Sequence, residues 1–334
     1  MKKIRLRTKI LIAAVLILAI IYVAAVNVMI SAALVPEFMR KLDSFDRVTE
    51  QSYSEMVKTD EITENTRAAR DEAKAFIENS DGFKVKCTSD DGYELIAACF
   101  KQQEPEGRPW VVLLHGYTGW KEEMYHYAAR YYEQGFNILC PDLRCQGESE
   151  GDYIGMGWTD RADVMLWIDM ILKSYPDAEI VLHGESMGSS CAIMLTGMEG
   201  LPDNVKCVVS DCAYADTMSM FRKQLKDWFG LPDLGFVSSA RYFLIMRGGY
   251  DLKEASALDQ VVNSDTPILF IHGDKDRIVP VSSAEDLYEA CPSEKDIMIV
   301  EGAGHAQCCY KDPEAYYDKV FRFIERYVGS YSAS

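Results

Sequence analysis

One serine of this chain lies in a glycine-flanked pentapeptide, residues 184–188, with the sequence Gly-Glu-Ser-Met-Gly. The apolar residues 180–182 before it are typical of a short strand, and the apolar residues 187–195 after it are typical of a helix. A turn between a strand and a helix is the setting that a nucleophile elbow requires, because the serine occupies a strained turn that neighbouring glycines leave open. The sequence therefore predicts Ser186 as a nucleophile.

A serine hydroxyl is a weak nucleophile, so a base has to accept its proton. The chain has five histidines. Three of them end predicted strands and one lies in a predicted helix, whereas His305 follows the last predicted strand in a glycine-containing loop, residues 302–306. A histidine in that place, after both the nucleophile and an acid, is typical of enzymes with a nucleophile elbow. His305 is therefore predicted to be the base.

A carboxylate is needed to fix the tautomer of the base and to stabilise the imidazolium ion. Residues 272–280 follow the penultimate predicted strand and contain two aspartates. We predict that Asp276 is the acid and that Asp274 caps or braces the loop. Asp211, after the predicted strand 205–209, is a further candidate, because some enzymes with this order of elements carry the acid there.

Backbone amides must stabilise the oxyanion that forms during acyl transfer, and the loss of one such donor costs about 2.7–4 kcal/mol. One donor is predicted to be the amide of Met187, the residue after the nucleophile. The second is predicted to be the amide of Tyr117, in the loop His-Gly-Tyr-Thr-Gly at residues 115–119. The chain contains neither a Cys-x-x-Cys pair nor a His-Glu-x-x-His sequence, so a zinc site or a thioredoxin-like site has no support. The chemistry of the predicted residues implies no metal or organic cofactor.

The ten cysteines lack the regular spacing of a disulfide framework. Cys308 and Cys309 closely follow His305, so one of them could be its redox or acyl-transfer partner. We prefer the alternative that both are buried structural thiols.

The elements that must position these residues alternate between short apolar runs and helical stretches. Nearly continuous apolar runs are typical of parallel strands covered on both faces, and the alternation predicts an α/β fold with a doubly wound, mostly parallel sheet. Residues 83–88 and 93–100 flank a Ser-Asp-Asp-Gly turn and predict a β-hairpin. The further predicted strands are residues 110–114, 136–140, 180–182, 205–209, 268–271 and 297–300, and the predicted helices include residues 122–134, 160–174 and 282–290.

A long interval separates the predicted strands 205–209 and 268–271, where a single helix would suffice. A structureless loop of that length is uncommon in a compact domain, so a small helical cap is predicted at about 213–262. The interval is rich in methionine and aromatic residues. These side chains either line an acyl pocket or pack the cap onto the core.

The N-terminal region is almost wholly apolar from residue 10 to residue 35. About 20 apolar residues suffice for a helix to cross the hydrocarbon core, so a transmembrane anchor is predicted there. Residues 1–9 contain five cations and no acid, which favours a cytoplasmic tail and a catalytic domain outside the cell membrane. A cleaved signal peptide, giving a secreted protein, is the alternative. Residues 36–81 are predicted to be a helical stalk or linker, or a helix lying on the domain edge, and residues 82–334 the main domain.

The charge of the chain narrows the choice of partner. The formal net charge is −17, and beyond the five cations of residues 1–9 the chain carries 30 basic and 52 acidic residues. Such an acidic body repels phosphate backbones, so no nucleic acid is expected as partner or substrate. It also argues against docking on anionic lipid through a basic face. The sequence leaves the oligomeric state open.

Five motifs in order make the chain resemble the α/β-hydrolase superfamily over residues 82–328, and within it the membrane-anchored bacterial hydrolases of the serine aminopeptidase/monoacylglycerol-lipase-like group. The motifs are His-Gly-x-x-Gly at 115–119, Asp-Leu-Arg-Cys-Gln-Gly-Glu-Ser at 142–149, Gly-x-Ser-x-Gly at 184–188, Gly-Asp-x-Asp-x-x-Val-Pro at 273–280 and Gly-x-Gly-His at 302–305. The resemblance implies that Asp142 and Arg144 brace the active-site loops. Cys145 departs from the glycine that such families often have there, which puts a local turn in doubt.

These features predict a serine hydrolase that cleaves an acyl ester of a small-molecule or lipid-like substrate through an acyl-enzyme, while the N-terminal helix binds the lipid bilayer. An amidase, a peptidase or a thioesterase would use the same residues, because a fold does not fix the substrate. A binding or sensory protein that kept the fold and lost turnover is the alternative from another class. Such a protein would typically lack the nucleophile or the base.

Overall fold

A single sheet forms the centre of the computed structural model, which describes residues 6–41 and 56–329. Its strands are β1 (Phe83–Thr88), β2 (Glu94–Phe100), β3 (Trp110–Leu114), β4 (Asn137–Pro141), β5 (Ile180–Glu185), β6 (Val205–Asp211), β7 (Ile268–Gly273) and β8 (Lys295–Val300). They lie in the order β1-β2-β4-β3-β5-β6-β7-β8. β1 and β2 form an antiparallel hairpin and β2 pairs antiparallel with β4, whereas the other pairs are parallel.

Helices precede the sheet and cover both of its faces. They are α1 (Leu6–Leu34), α2 (Pro36–Lys41), α3 (Asp60–Asn79), α4 (Tyr125–Glu133), α5 (Asp160–Ser174), α6 (Met187–Thr196), α7 (Thr217–Phe229), α8 (Phe236–Arg247), α9 (Ala257–Val261), α10 (Ser282–Ala290), α11 (Cys308–Lys311) and α12 (Pro313–Ile324). One apolar core joins the sheet to α5, α6 and α10, and a second joins the opposite face to α3, α4 and α12. Every residue of β3, β4 and β7 is buried, because helices cover both sides of these strands.

The predicted α/β fold with a doubly wound, mostly parallel sheet is confirmed. Several predicted elements differ in their bounds: β5, β6 and β7 end two or three residues later than predicted, and β8 begins two residues earlier. The predicted strand 136–140 begins and ends one residue later, as β4. The predicted helix 122–134 is a 3₁₀ helix, Lys121–Met124, followed by α4. The amide of Lys121 donates to Asp142 Oδ1 at 2.7 Å, which ties the start of this segment to the loop after β4.

The region predicted as a stalk or linker, residues 36–81, is partly outside the described residues, since residues 42–55 are not among them. Its main helix, α3, lies along the edge of the domain. Thr59 caps α3 by accepting the amide of Ile62 at 3.2 Å. Phe76 packs against Phe100 and Tyr132, with ring centroids 4.7 and 5.4 Å apart. These contacts hold α3 against the body of the protein.

The helix α1 is long and apolar enough, from Thr8 to Leu34, to cross a membrane. Its large apolar side chains are exposed in the segment from Ile10 to Val23. Val26, Ile30 and Leu34 are instead buried, and their spacing of four residues places them on one side of the helix. From Tyr22 onward α1 therefore packs on the domain, whereas the part before Tyr22 projects from it.

The long interval between β6 and β7 contains the helices α7, α8 and α9. Asp216 caps α7 by accepting the amide of Ser219 at 2.8 Å, and Gly230 ends it with a left-handed φ of 63°. α8 buries Val237, Ala240 and Leu244 on its inner side. We call α7, α8 and the turn 230–235 between them the cap.

Candidate active site

Ser186 lies in a sharp turn between β5 and α6. Its φ of 52° and ψ of −113° are strained for a residue with a side chain, as a nucleophile elbow requires. The two flanking glycines pack against each other, because a Cβ on Gly184 would lie 2.4 Å from the carbonyl carbon of Gly188. A Cβ on Gly188 would lie 2.1 Å from the carbonyl oxygen of Leu114, at the end of β3. Larger residues at either position would force the elbow apart.

The structure brings together the three side chains predicted as a triad. Ser186 Oγ lies 2.9 Å from His305 Nε2, and His305 Nδ1 lies 2.7 Å from Asp276 Oδ2. The histidine loop follows β8 and the aspartate loop follows β7, so the three residues meet at the carboxyl edge of the sheet. The Asp276 side chain is completely buried and that of His305 retains 12% exposure. This arrangement can accept the Ser186 proton on Nε2.

The environment of Asp276 keeps it ionised. Its Oδ1 accepts the amides of Ile278 and Val279 at 2.9 and 2.8 Å, and its Oδ2 also lies 3.2 Å from His272 Nε2. Burial opposes ionisation, but His305 and the hydrogen bonds of His272 and His305 outweigh it and hold the pKa of Asp276 well below its usual range. The carboxylate therefore accepts the Nδ1 proton of His305, which leaves Nε2 free to face the serine.

The pKa of His305 is raised above its usual value of 6.5. Burial alone would lower this pKa, but the charge of Asp276 and its hydrogen bond outweigh the effect, with Glu185 and Asp211 acting in the same direction. A histidine with a raised pKa is a stronger base, provided that the pH keeps it neutral.

The loop 115–119 lies beside the nucleophile, since a Cβ on Gly116 would be 3.6 Å from the Cβ of Ser186. His115 fixes the shape of this loop. Its Nε2 accepts the amide of Leu143 at 2.9 Å, so its Nδ1 carries the proton and donates to the carbonyl of Gly116 at 2.8 Å. Burial lowers the pKa of His115 to about 4, which keeps this tautomer neutral. The loop of Tyr117 is thus adjacent to Ser186, at the N-terminus of α6 where the amide of Met187 lies.

The other candidate acid, Asp211, uses its carboxylate to bind Tyr316. Its Oδ2 accepts the hydroxyl proton of Tyr316 at 2.9 Å, and its carbonyl oxygen accepts the amide of Ser186 at 2.8 Å. Burial raises the pKa of Asp211 to about 6. Asp211 therefore supports the elbow through its backbone, while Asp276 contacts His305 directly.

Asp274, predicted to cap or brace its loop, accepts the amide of Gly302 on Oδ1 at 2.6 Å and pairs with Lys275 at 2.8 Å. This bond joins the loop after β7 to the loop after β8. It thereby connects the segments that carry Asp276 and His305.

The two adjacent cysteines are buried, and burial raises the pKa of each thiol well above its usual value. Cys309 Sγ lies 3.4 Å from the hydroxyl of Tyr127 and 3.8 Å from His126 Nε2. Protonated buried thiols are poor nucleophiles. The arrangement favours the structural alternative for Cys308 and Cys309.

Within the described residues, one cluster of possible metal ligands involves the site: Cys212, Asp276 and His305 offer atoms within 4.8 Å of one another. Both oxygens of Asp276 already accept hydrogen bonds, and burial raises the pKa of the Cys212 thiol well above its usual value. A metal ion would need a thiolate and would break the bond between Asp276 and His305. The cluster is therefore better suited to orienting the imidazole than to holding an ion.

Two basic side chains, Lys121 and Arg144, brace the loop after β4 through salt bridges. Lys121, with a side chain only 2% exposed, places Nζ 2.7 Å from both Asp142 Oδ2 and Glu148 Oε2. Arg144 forms a bidentate pair with Asp163, at 2.8 and 2.7 Å. The bracing role that the resemblance implies for Asp142 and Arg144 agrees with these contacts. The sequence offered no signal for Lys121, which stands among glutamates in a segment that reads as exposed.

Cys145, the departure from the usual glycine, has a left-handed φ of 63°. Its amide donates to the carbonyl of Glu150 at 3.0 Å and its Sγ to the carbonyl of Gly151 at 3.1 Å. The turn is therefore formed, and these bonds hold it although a side chain is strained there.

Comparison with known proteins supports the fold and the class of enzyme. A family model described as alpha/beta hydrolase fold matches residues 109–239, and one described as Serine hydrolase (FSH1) matches residues 184–306. The uncharacterized protein YqkD of Bacillus subtilis is 30% identical over 216 residues, which cover 64% of this chain and 70% of that protein. The uncharacterized membrane protein YNL320W of Saccharomyces cerevisiae is 26% identical over 196 residues, which cover 58% of this chain and 62% of that protein.

Among solved structures, the Pyrococcus furiosus esterase Pf2001 has the same fold, with a TM-score of 0.60 at 23% identity, over 75% of this chain and 92% of that one. The sheet order, the elbow and the matching family models lead to one conclusion. The chain belongs to the α/β-hydrolase superfamily and has the fold of its serine hydrolases.

Proposed function

We propose that this protein is a serine hydrolase that cleaves an acyl ester with Ser186, His305 and Asp276 as its triad. The observation that carries the proposal is the continuous chain of contacts from Ser186 Oγ to His305 Nε2 at 2.9 Å and from His305 Nδ1 to Asp276 Oδ2 at 2.7 Å. The strained backbone of Ser186 presents that hydroxyl at the carboxyl edge of the sheet.

The reaction follows from these contacts. Ser186 gives its proton to His305 Nε2 while Oγ attacks the acyl carbon, and the carbonyl electrons move onto the oxygen. The amides of Met187 and Tyr117 stabilise this oxyanion. The tetrahedral intermediate expels the alcohol, which takes the proton from Nε2, and leaves an acyl group on Ser186. Water then attacks through the same base, releases the acid and restores the serine.

An acyl ester of a lipid-like molecule is favoured by the exposed apolar side chains of the cap and by the apolar anchor. The test is a panel of p-nitrophenyl esters of increasing chain length, with the matching anilides and thioesters, on the full chain in detergent. We expect the esters to be cleaved fastest, and Ser186→Ala to lose more than about 10³-fold of the rate. Faster anilide cleavage would support the amidase or peptidase alternative, and faster thioester cleavage the thioesterase.

The alternative of a catalytically silent binding protein makes an opposite prediction. A fluorophosphonate probe should label the wild-type chain, because His305 activates the serine. If the wild-type chain remained unlabelled like Ser186→Ala, the hydrolase proposal would fail.

We further propose that α1 is a retained membrane anchor, with residues 1–9 in the cytoplasm and the catalytic domain outside. Support comes from the length of the apolar helix and from the burial of Val26, Ile30 and Leu34 in the domain. Cleavage near residue 33 would remove the first two of these contacts. The intact mass of the protein isolated from membranes tests retention, and loss of about the first 33 residues would favour the secreted alternative.

A further inference from the structure

The cap lies directly against the anchor. The hydroxyls of Tyr22 in α1 and Ser239 in α8 are 2.9 Å apart, and the rings of Tyr22 and Phe236 have centroids 5.1 Å apart. Five residues further along α1, Asn27 Oδ1 accepts a hydrogen bond from Arg247 Nη1 at 2.6 Å. The first turn of α8 is therefore level with Tyr22, and its last turn is level with Asn27.

These contacts fix the depth of α8 if α1 spans a bilayer. A hydrocarbon core of about 30 Å corresponds to about 20 helical residues at 1.5 Å each. Lys9 is the last cation before the apolar run, so the outer edge of the hydrocarbon falls near Met29. Tyr22 is then about 10 Å inside that edge and Asn27 about 3 Å inside it. The first turn of α8 therefore lies at the level of the outer leaflet's acyl chains.

The outward side of α8 has the composition that this depth requires. Tyr242, Ile245 and Met246 share that side by their spacing of three and four residues, and they are 60, 41 and 72% exposed. In the turn 230–235, at the deeper end of α8, Leu231 and Leu234 are 48 and 74% exposed. We call these five side chains the cap patch.

The outward side of α7, the other helix of the cap, is charged rather than apolar. It carries the exposed charges Arg222, Lys226 and Asp227. The single acid in the turn, Asp233, is neutralised by Arg222, whose Nε lies 3.0 Å from its carboxylate. The apolar surface is thus confined to the part of the cap that adjoins the anchor.

We propose that the cap patch inserts into the outer leaflet of the bilayer beside α1, so that the cap rests on lipid acyl chains. This inference depends on the proposed anchoring of α1. Lipid is the occupant because the patch adjoins the exposed apolar side of α1 and lies between the depths of Tyr22 and Asn27. The exposed charge next to it, Arg247, is at the shallow end, where its bond to Asn27 places it close to the headgroups. The substrate class that such a cap favours is an acyl ester dissolved in the bilayer.

The test uses the full chain carrying Ser186→Ala, reconstituted in phosphatidylcholine vesicles, so that no result depends on catalysis. Met246→Cys is labelled with a nitrobenzoxadiazole maleimide, and Lys226→Cys on α7 is the matched control. The chain without either new cysteine gives the background from the half-buried Cys87 and Cys145. Lipids with a nitroxide on the acyl chain are expected to quench the label at 246 at least about twofold more than the label at 226.

Equal quenching at both positions would overturn the inference. So would protection of the label at 246 from both lipid nitroxides and a water-soluble quencher, because a second protein chain would then cover the patch. A label at Ile17→Cys separates the two proposals. If this position is quenched and position 246 is not, the anchor stands and the cap patch does not insert. If neither is quenched, the anchoring itself fails.

A different contact connects the anchor to the loop 115–119, which carries the amide of Tyr117 and which we call the oxyanion loop. The last carbonyls of a helix have no partner within the helix. At the end of α1, the carbonyl of Leu34 accepts the amide of Ile154 at 2.9 Å, and the carbonyl of Ala33 accepts the hydroxyl proton of Tyr117. Burial raises the pKa of Tyr117, so the hydroxyl remains a donor.

The oxyanion loop needs such support. Thr118, next to Tyr117, has a left-handed φ of 59°, which residues with side chains rarely adopt. We infer that the Tyr117 hydroxyl is a positioning group: by binding the end of α1 it holds the neighbouring backbone amide where the oxyanion forms. The anchor is then part of the catalytic structure as well as a tether.

Tyr117→Phe keeps the amide and the ring but removes the bond to Ala33. In the full chain we expect kcat to fall roughly tenfold, less than the 10²–10³ that the loss of a whole oxyanion donor costs, with KM unchanged. The rate of fluorophosphonate labelling should fall equally. Tyr250→Phe is the matched control, because it loses a hydroxyl that binds the carbonyl of Ile154 at 2.7 Å, nearby but away from the loop. An unchanged kcat in Tyr117→Phe, or an equal loss in both variants, would overturn the inference.

Discussion

The substitution Asp276→Asn tests the role of the acid through the tautomer of the base. Asp276 Oδ1 accepts two buried backbone amides, those of Ile278 and Val279, and Oδ2 faces His305 Nδ1. An asparagine must keep its carbonyl oxygen on the two amides, so its NH₂ group faces the imidazole. Nδ1 then has to accept a hydrogen bond, the proton moves to Nε2, and His305 can no longer take the proton of Ser186.

The size of the effect follows from the cost of the opposite amide orientation. Turning the asparagine would restore the correct tautomer but would leave two buried amides without an acceptor, at about 1–3 kcal/mol each. At about 1.4 kcal/mol per factor of ten, a total of about 2–6 kcal/mol leaves between roughly 3% and 0.004% of molecules in the active arrangement. We therefore expect kcat to fall by at least about 30-fold, and by up to about 10⁴-fold, as the same change does in another Ser-His-Asp triad.

The assay is steady-state hydrolysis of a p-nitrophenyl ester together with the rate of fluorophosphonate labelling. Asp274→Asn is the matched control, since it lies two residues away and bonds to Gly302 and Lys275 rather than to the base. Its kcat should remain within about threefold of the wild type. A loss below tenfold in Asp276→Asn, with abolished activity in Asp211→Asn, would refute the reasoning and assign the acid to Asp211.

Three further outcomes are expected. Because the pKa of His305 is raised above 6.5 and only the neutral form is a base, kcat/KM should fall as the pH drops through a value above 6.5; a flat profile between pH 5 and 9 would contradict this. Gly188→Ala places a Cβ 2.1 Å from the Leu114 carbonyl, so denaturant unfolding should show a loss of about 1–3 kcal/mol or more. Burial, followed by the charge of Asp211, raises the pKa of Glu185 to about 8 from 4.5. The preference of the folded state for protonated Glu185 contributes to the free energy of unfolding. This contribution is fully present below pH 4.5 and is lost as the pH rises through about 8. Glu185→Gln should therefore stabilise the protein at pH 9 far more than at pH 4, and an equal effect at both would contradict this assignment.

Much of the site could be predicted because its signals are local. The glycines that allow the strained turn at Ser186 lie within a few residues of it in the sequence. His305 and Asp276 lie in loops that directly follow strands. Parallel strands bring those loops to one edge, so the chain order already implies that the three side chains meet.

Other features depend on contacts between distant segments and have no local signature. Lys121 lies in a polar segment, and only the fold shows that its ammonium group is buried against Asp142. The bond from Tyr117 to Ala33 joins residues 84 positions apart, and nothing in either segment indicates the other. The polar helix α3 is a partial case: the sequence predicts either a stalk or a helix on the domain edge, and only the packing of Phe76 against Phe100 favours the second.

The most direct test of the account is to identify the residue that reacts. The full chain, incubated with a fluorophosphonate and digested, should carry one adduct on the peptide that contains Ser186. The adduct should be absent in Ser186→Ala and should form far more slowly in His305→Ala. An adduct on another residue, or labelling that persists in Ser186→Ala, would contradict the assignment of Ser186 as the nucleophile.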